Sequence, residues 1–211
     1  LLELAAKNPT EARPCYYLGR REFAEKNYSE ALKFLQQADN LLEAAEIKVL
    51  LAETYLALHQ ADQALPIFYQ ALRLNPYNVA ASLHIADLEA EKENYAEAEN
   101  FYKKTLELDN NNLQAHANYA NMLCKRKRTL EALEEYRAAV RISPETPELS
   151  YNLAIILKTL EEYEQALALM FNAFYLAPQH TDWSLNLAET ITLFYDKAPE
   201  KARKIAENWY E

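Results

Sequence analysis

Glycine is the residue that this chain most lacks, since Gly19 is the only one among 211 residues. Phosphate-cradling loops, dinucleotide-binding fingerprints and tight hairpin turns each need several glycines, because other residues meet a steric cost in those backbone conformations. The sequence therefore excludes these structures. Helix-forming alanine, leucine and glutamate dominate instead, and this composition predicts an all-α chain.

Positive charge and long apolar runs are also scarce. The chain has 22 Lys and Arg against 32 Asp and Glu, a net charge of −10. Binding along nucleic-acid phosphates needs clustered Lys and Arg, so no nucleic-acid partner is expected. No stretch approaches the roughly 18 apolar residues of a membrane span, and no signal peptide is visible, so we expect no membrane insertion and a cytoplasmic location.

Residues for metal binding and catalysis are few and scattered. The four histidines, at 59, 84, 116 and 180, show no i, i+4 pair, and Cys15 and Cys124 do not join them. We predict no metal site, no cofactor and two free thiols. Nothing in the sequence brings an acid pair such as Glu134 and Glu135 into a cleft, so no catalytic residue is predicted and this chain is not expected to be an enzyme.

Small residues recur at a fixed interval, which is the main feature of the sequence. The step is 34 residues, with 33 at the first interval. One series is Ala31, Ala64, Ala98, Ala132 and Ala166. A second is Gly19, Ala52, Ala86, Ala120, Ala154 and Ala188, and a third is Ala38, Ala71, Thr105, Ala139 and Ala173. Helix-ending prolines keep the same register, one or two periods apart, at Pro9, Pro76, Pro144 and Pro178, and Asn110 takes one of the positions between them. Four registers with one period predict a repeat protein.

A repeat of this length accommodates two antiparallel helices of about four turns each. Where two helices approach to about 8–10 Å, only small side chains fit between their backbones. Large residues precede the second small series and fill the remaining space, namely Leu18, Leu51, Ile85, Tyr119, Leu153 and Leu187. The pattern therefore predicts stacked helical hairpins.

This pattern resembles the tetratricopeptide repeat family over nearly the whole chain. The resemblance implies an all-α, right-handed α-solenoid with repeats at 12–44, 45–78, 79–112, 113–146 and 147–180. Residues 1–11 would end a preceding repeat, and residues 181–211 would form a divergent or truncated sixth one. Both ends fall inside repeats, so we expect a longer parent protein.

In this family the first helix of each repeat lines a concave groove, which implies where a ligand would lie. The position before the core residue carries Tyr17, Leu50, His84, Asn118, Asn152 and Asn186. The last three form an asparagine ladder, and amides can pair with an extended peptide backbone through both donors and acceptors. The alternative is that these asparagines are simply solvated.

Other candidate groove residues follow from the same register. With the ladder and an aromatic anchor, the predicted peptide-binding set is Tyr16, Arg20, Glu53, His84, Asp87, Asn118, Asn121, Asn152 and Asn186. Its acidic members would favour a basic or polar segment, unless they form only a solvated face. The paired Lys and Asn of the clamp that holds chaperone tails are missing. The basic run 125–128 is expected to be an exposed turn, with docking of an anionic partner as the alternative.

These features predict a module that binds a protein or extended peptide, as an adaptor or assembly scaffold. The alternative is the substrate-recognition arm of a larger glycosyltransferase or methyltransferase whose catalytic domain follows this segment. The asparagine ladder resembles the repeat arm of O-linked N-acetylglucosamine transferases. The tail from Leu187 to Trp209 resembles the linker that joins the repeats to the glycosyltransferase domain in their bacterial relatives. The identity of the partner and the oligomeric state are left open by the sequence.

Overall fold

The computed structural model describes residues 11–202, and this part of the chain consists of α-helices without strands. The all-α prediction is therefore confirmed. The helices are α1 (Ala12–Ala24), α2 (Tyr28–Leu41), α3 (Ala45–Ala57), α4 (Ala61–Leu74), α5 (Val79–Glu91), α6 (Tyr95–Leu108), α7 (Leu113–Lys125), α8 (Thr129–Ile142), α9 (Pro147–Thr159), α10 (Tyr163–Leu176) and α11 (Trp183–Lys197). The chain divides after Asn110 into two compact halves, which are described separately.

The N-terminal half consists of three hairpins, α1–α2, α3–α4 and α5–α6. Each pairs a first helix of 13 residues with a second helix of 14. Successive hairpins stack through contacts of α2 with α3 and of α4 with α5. One core cluster lies around Phe68 and Ile85, which are both fully buried together with Ala52, Ala64 and Ala71. Burial of the small-residue series lets the helices within and between hairpins approach closely.

The C-terminal half repeats this arrangement with α7–α8 and α9–α10, and α11 then packs on α10. The small residues are again without exposed surface, as shown by Ala120, Ala132, Ala139, Ala154, Ala166 and Ala173. Beyond α11, Ala202 is buried against a cluster that includes Tyr163 and Phe194. Residues 1–10 of the predicted remnant and residues 203–209 of the predicted tail lie outside the described residues.

The turn inside each hairpin uses a left-handed residue that is not glycine. These residues are Lys26, His59, Glu93, Lys127 and Glu161, with φ between 59° and 64°. Each closes a two-bond cap typical of helix ends: in the third hairpin Asn94 N–H donates to the Glu89 carbonyl at 2.8 Å, and Glu93 N–H donates to that of Ala90 at 3.2 Å. The backbone bonds of the cap hold these residues in a conformation that glycine adopts without steric cost.

Within residues 11–202, no helix is both long enough and apolar enough to cross a membrane.

The positive φ of the turn residues predicts that glycine at one of these positions would stabilise the fold. Glu93 is exposed, and its φ of 61° costs a residue with a Cβ atom about 1–2 kcal/mol. Part of this gain is offset by the greater freedom of glycine in the unfolded chain. We expect Glu93→Gly to raise the free energy of unfolding by up to about 1 kcal/mol in urea titrations. The control Glu93→Ala keeps the Cβ atom, so equal stability of the two variants would contradict the idea.

Gly19 gives a second prediction. All the remaining repeats have alanine at this register position, so alanine would be the expected residue here as well. A Cβ atom on Gly19 would lie 2.6 Å from Leu35 Cγ and 2.8 Å from Leu35 Cδ2. We expect Gly19→Ala to lower the free energy of unfolding by roughly 1–3 kcal/mol through overpacking. In the fifth repeat the register pairs alanine at this position, Ala154, with the flexible Met170, so adding Leu35→Met should restore part of the loss. A Gly19→Ala variant as stable as the wild type would show that Leu35 moves freely.

Candidate functional site

An open cleft lies between α1 and the start of α3 in the N-terminal half. It has a volume of 220 Å³ and is lined by Ala12, Arg13, Tyr16, Tyr17, Leu42, Ala44, Glu46 and Ile47. Tyr17 and Leu42 are about half exposed, at 48% and 49%. The walls are therefore aromatic and aliphatic, with one side chain of each charge. Tyr16, predicted as an anchor, lies in this cleft, whereas Leu42 and Ile47 were not predicted.

The acidic candidates of the N-terminal half are bound to neighbouring side chains. His84 Nε2 lies 3.4 Å from Glu53 Oε1, and its ring stacks on Phe68 with centroids 4.8 Å apart. Asp87 accepts a hydrogen bond of 2.7 Å from the Tyr102 hydroxyl. Burial, and then the Asp87 carboxylate, raise the pKa of Tyr102 well above its usual range. The structure thus brings Glu53 and His84 together. Arg20 is exposed on α1.

In the C-terminal half, two candidate asparagines meet a buried tyrosine. The Tyr136 hydroxyl donates to Asn121 Oδ1 at 2.5 Å and also shares a hydrogen bond with Asn152. Because Tyr136 is 2% exposed, burial raises its pKa to about 12, although the bond with Asn152 opposes the rise. Asn152 is half-buried, Asn121 is exposed, and Asn118 is half-buried on α7.

Asn186 connects α9 with α11. Its Nδ2 donates to the Tyr151 hydroxyl at 2.7 Å, and its Oδ1 accepts from Lys158 Nζ at 3.2 Å. The same ammonium group pairs with Glu189 at 2.6 Å. Burial raises the pKa of Tyr151, and the bond with Asn186 acts against this shift. Asn152 and Asn186 are therefore held in position by side chains of neighbouring helices.

A stack of three rings, which the sequence did not predict, lies beside Asn186. Tyr151 and Trp183 are parallel within 11° at 4.4 Å, and His180 lies on Trp183 at 4.3 Å and 7°. Two carboxylates flank the imidazole, with Glu148 at 3.7 Å and Asp182 at 3.9 Å. Trp183 is 7% exposed, so this indole belongs to the packed interior. Comparing each position with its equivalent in the other repeats would have indicated the stack from the sequence.

The remaining candidate residues show no further site. In the described part of the chain, no group of three His, Cys, Asp or Glu residues is arranged to hold a metal ion. Cys15 is buried, Cys124 is exposed, and both are free thiols as predicted. In the basic turn, Lys125 and Lys127 are exposed and Arg128 donates to Glu131 at 2.6 Å.

Stacked two-helix hairpins with polar and aromatic residues on their first helices place the chain in the class of helical-repeat proteins. Residues 55–122 match the family described as Tetratricopeptide repeat, and residues 120–160 match that described as TPR repeat. The two matches together span half of the chain. The chain belongs to the tetratricopeptide repeat family.

Similar proteins have been characterised both as sequences and as structures. Tetratricopeptide repeat protein 8 of Mus musculus is 36% identical over 97 residues, which are 46% of this chain and 18% of that protein. This chain thus spans less than a fifth of that relative. Among solved structures, YrrB, described as a TPR protein with an unusual peptide-binding site, is similar with a TM-score of 0.74 at 21% identity, covering 89% of this chain and 97% of its own.

Two further structures share the fold. MamA from Desulfovibrio magneticus has a TM-score of 0.72 at 15% identity, covering 81% of this chain and 97% of its own. A TPR protein of Thermus thermophilus has a TM-score of 0.60 at 18% identity, with coverage of 86% and 99%. At these identities the structural likeness supports the fold alone.

The buried hydroxyl of Tyr136 predicts a loss of stability at alkaline pH. Its pKa of about 12 in the folded chain exceeds the value of about 10 in the unfolded chain, so the unfolded state loses the proton first. The contribution is complete below pH 10 and disappears as the pH rises toward 12, by roughly 2 kcal/mol. Urea titrations from pH 9 to 12 should show a smaller fall for Tyr136→Phe than for the wild type. Parallel pH profiles would contradict the assignment.

Proposed function

We propose that this chain is a protein-interaction module that binds an extended peptide along the first-helix face of its C-terminal half, as an adaptor or scaffold. The observation that carries the proposal is the positioning of Asn152 and Asn186 on α9 and α11 by Tyr136, Tyr151 and Lys158. Side chains that are already fixed lose little conformational freedom when a ligand binds, so more of the interaction energy contributes to affinity.

The bound amides keep capacity for a ligand. A side-chain amide has two N–H donors and two acceptor lone pairs, and the contacts of Asn186 described above use one of each. An extended peptide presents one N–H and one C=O per residue, so a row of such amides would bind its backbone with little dependence on sequence. The contacts that hold Asn186 therefore leave one donor and one acceptor site for a peptide backbone.

Charge favours a basic or polar partner segment. The chain has a net charge of −10, and the first helices of the C-terminal half carry Glu148 and Glu189, with Asp182 just before α11. Complementary charge accelerates encounter and disfavours acidic competitors. The peptide-binding site ascribed to YrrB gives further support to peptide recognition by this fold.

Binding without chemistry is the role that the side-chain contacts favour. The carboxylates, imidazoles and hydroxyls described above form ion pairs, ring stacks and hydrogen bonds between helices, which are structural uses of these groups. The same face would serve a free adaptor or the recognition arm of a larger enzyme.

The ladder is tested by changing Asn118, Asn152 and Asn186 together to alanine. An array of random-sequence 12-residue peptides selects binders of the wild-type chain, and their affinities are then compared by fluorescence anisotropy. Each lost hydrogen bond should cost on the order of 1 kcal/mol, so the triple variant should bind at least about tenfold more weakly.

A matched control changes three exposed asparagines on second helices, Asn40, Asn100 and Asn172, to alanine. This control should bind as the wild type does, and circular dichroism should show that both triple variants are folded. Undiminished binding by the ladder variant would refute the proposed site.

A further inference from the structure

The cleft beside Tyr16 has an equivalent in the C-terminal half, and the repeat register identifies it. The alanine series aligns Ala52 with Ala188, and the same offset aligns Thr54 with Thr190. Both threonines are fully buried, and each donates its hydroxyl to the carbonyl four residues earlier, at 2.7 Å and 2.6 Å. The register therefore pairs positions that share full burial and the same backbone contact in the two halves.

The two clefts differ in what fills them. By register, the residues that line the N-terminal cleft and their C-terminal counterparts are Arg13 and Glu148, Tyr16 and Tyr151, Ala44 and His180, Glu46 and Asp182, and Ile47 and Trp183. In the C-terminal half the indole and the imidazole stack on the tyrosine. In the N-terminal half alanine and isoleucine replace those rings, and a volume of 220 Å³ beside Tyr16 stays open.

We propose that the cleft beside Tyr16 binds an aromatic side chain of a partner peptide, stacked on Tyr16 as Trp183 stacks on Tyr151. This inference adds a second site, in the N-terminal half, and rests on the proposed function only in that the partner is a peptide. The open volume of 220 Å³ corresponds to about seven water molecules, which is enough space for an indole. Tyr17, Leu42 and Ile47 supply apolar walls around it. Aromatic rings are strong anchors because they combine a large apolar surface with a defined stacking geometry.

The charges at the cleft favour tryptophan. In the C-terminal half two carboxylates, Glu148 and Asp182, flank the imidazole, whereas here Arg13 takes the place of Glu148. One positive and one negative side chain suit a neutral ring with an N–H donor, because Glu46 can accept from the indole and Arg13 can lie against its face. Glu46 lines the cleft and Glu53 lies on the same helix, α3, so lysines near the tryptophan should strengthen binding.

The test uses fluorescein-labelled peptides of sequence Ser-Lys-Ser-Xaa-Ser-Lys-Ser, in which Xaa is tryptophan, leucine or alanine. Fluorescence anisotropy with the full chain measures each dissociation constant. We expect the tryptophan peptide to bind at least about tenfold more tightly than the alanine peptide, with the leucine peptide between them. Equal binding of all three peptides would overturn the proposal.

Two variants connect the preference with the cleft. Ala44→His combined with Ile47→Trp should fill it with the ring stack that the C-terminal half already contains, so the chain should stay folded and lose the preference for tryptophan. Tyr16→Ala removes the stacking surface and should have the same effect. The control Tyr77→Ala changes a tyrosine that is 76% exposed and outside the cleft, and it should keep the wild-type preference. Circular dichroism confirms folding in each case.

The outcomes separate this inference from the proposed function. If the filled variant binds the tryptophan peptide as tightly as the wild type, the cleft is not the anchor site, although peptide binding through the asparagines would stand. If neither these peptides nor the array yields any binder, the proposed function fails as well. If Tyr16→Ala instead abolishes a concentration-dependent dimer and affects no peptide, the cleft belongs to a second copy of the chain, and the peptide proposal is wrong.

Discussion

The close approach of the two helices in each hairpin is the constraint on which the rest of the structure depends. A small residue on the first helix faces a large one on the second, which is Leu35, Phe68, Tyr102, Tyr136 or Met170 in successive repeats. Where the large residue is a tyrosine, its hydroxyl reaches a polar side chain on the first helix, as in the bonds to Asp87 and Asn121. Where it lacks a hydroxyl, no such bond forms, and the same first-helix position holds Arg20, Glu53 or Ile155. The choice of core residue therefore influences which polar groups the binding face presents and how firmly they are held.

The scarcity of glycine and the regularity of the turns look contradictory, and the backbone hydrogen bonds resolve the conflict. At each hairpin turn a residue with a Cβ atom adopts positive φ, at a cost in free energy. Two backbone bonds at the end of the first helix fix the conformation, and in the first and third hairpins Asn27 and Asn94 also donate to Glu22 and Glu89 at 2.9 Å and 2.7 Å. The scarcity of glycine argues against phosphate-binding loops, but the expectation that it excludes tight hairpin turns is wrong for these helical turns, because backbone bonds hold other residues at positive φ. The packing of the neighbouring hairpins fixes this turn geometry and outweighs the free-energy cost of positive φ.

The period of 34 residues was enough to predict helices, hairpins and a buried series of small residues, because helix packing places the same steric demand on every repeat. The contacts at the candidate site could not be predicted in this way. Whether Asn186 faces solvent or bonds to Tyr151 depends on the rotamers of Tyr151 and Lys158, which lie on another helix. The ladder was predicted with two alternatives, a peptide ligand or solvation, and the structure adds a third role as a connection between helices. Long-range pairing of this kind leaves no periodic trace in a sequence.

Variation at single register positions is what gives such a repeat its specificity. Tyr16 and Tyr151 occupy the same position and would be interchangeable in a consensus, yet one lines an open cleft and the other is covered by an indole. The difference arises from Ala44 against His180 and Ile47 against Trp183, and it requires no change in the helical frame. Because each repeat contacts only its neighbours, such a change remains local and leaves the other repeats intact. Comparison between the repeats of one chain therefore distinguishes the residues that maintain helix packing from the residues that are available to a partner.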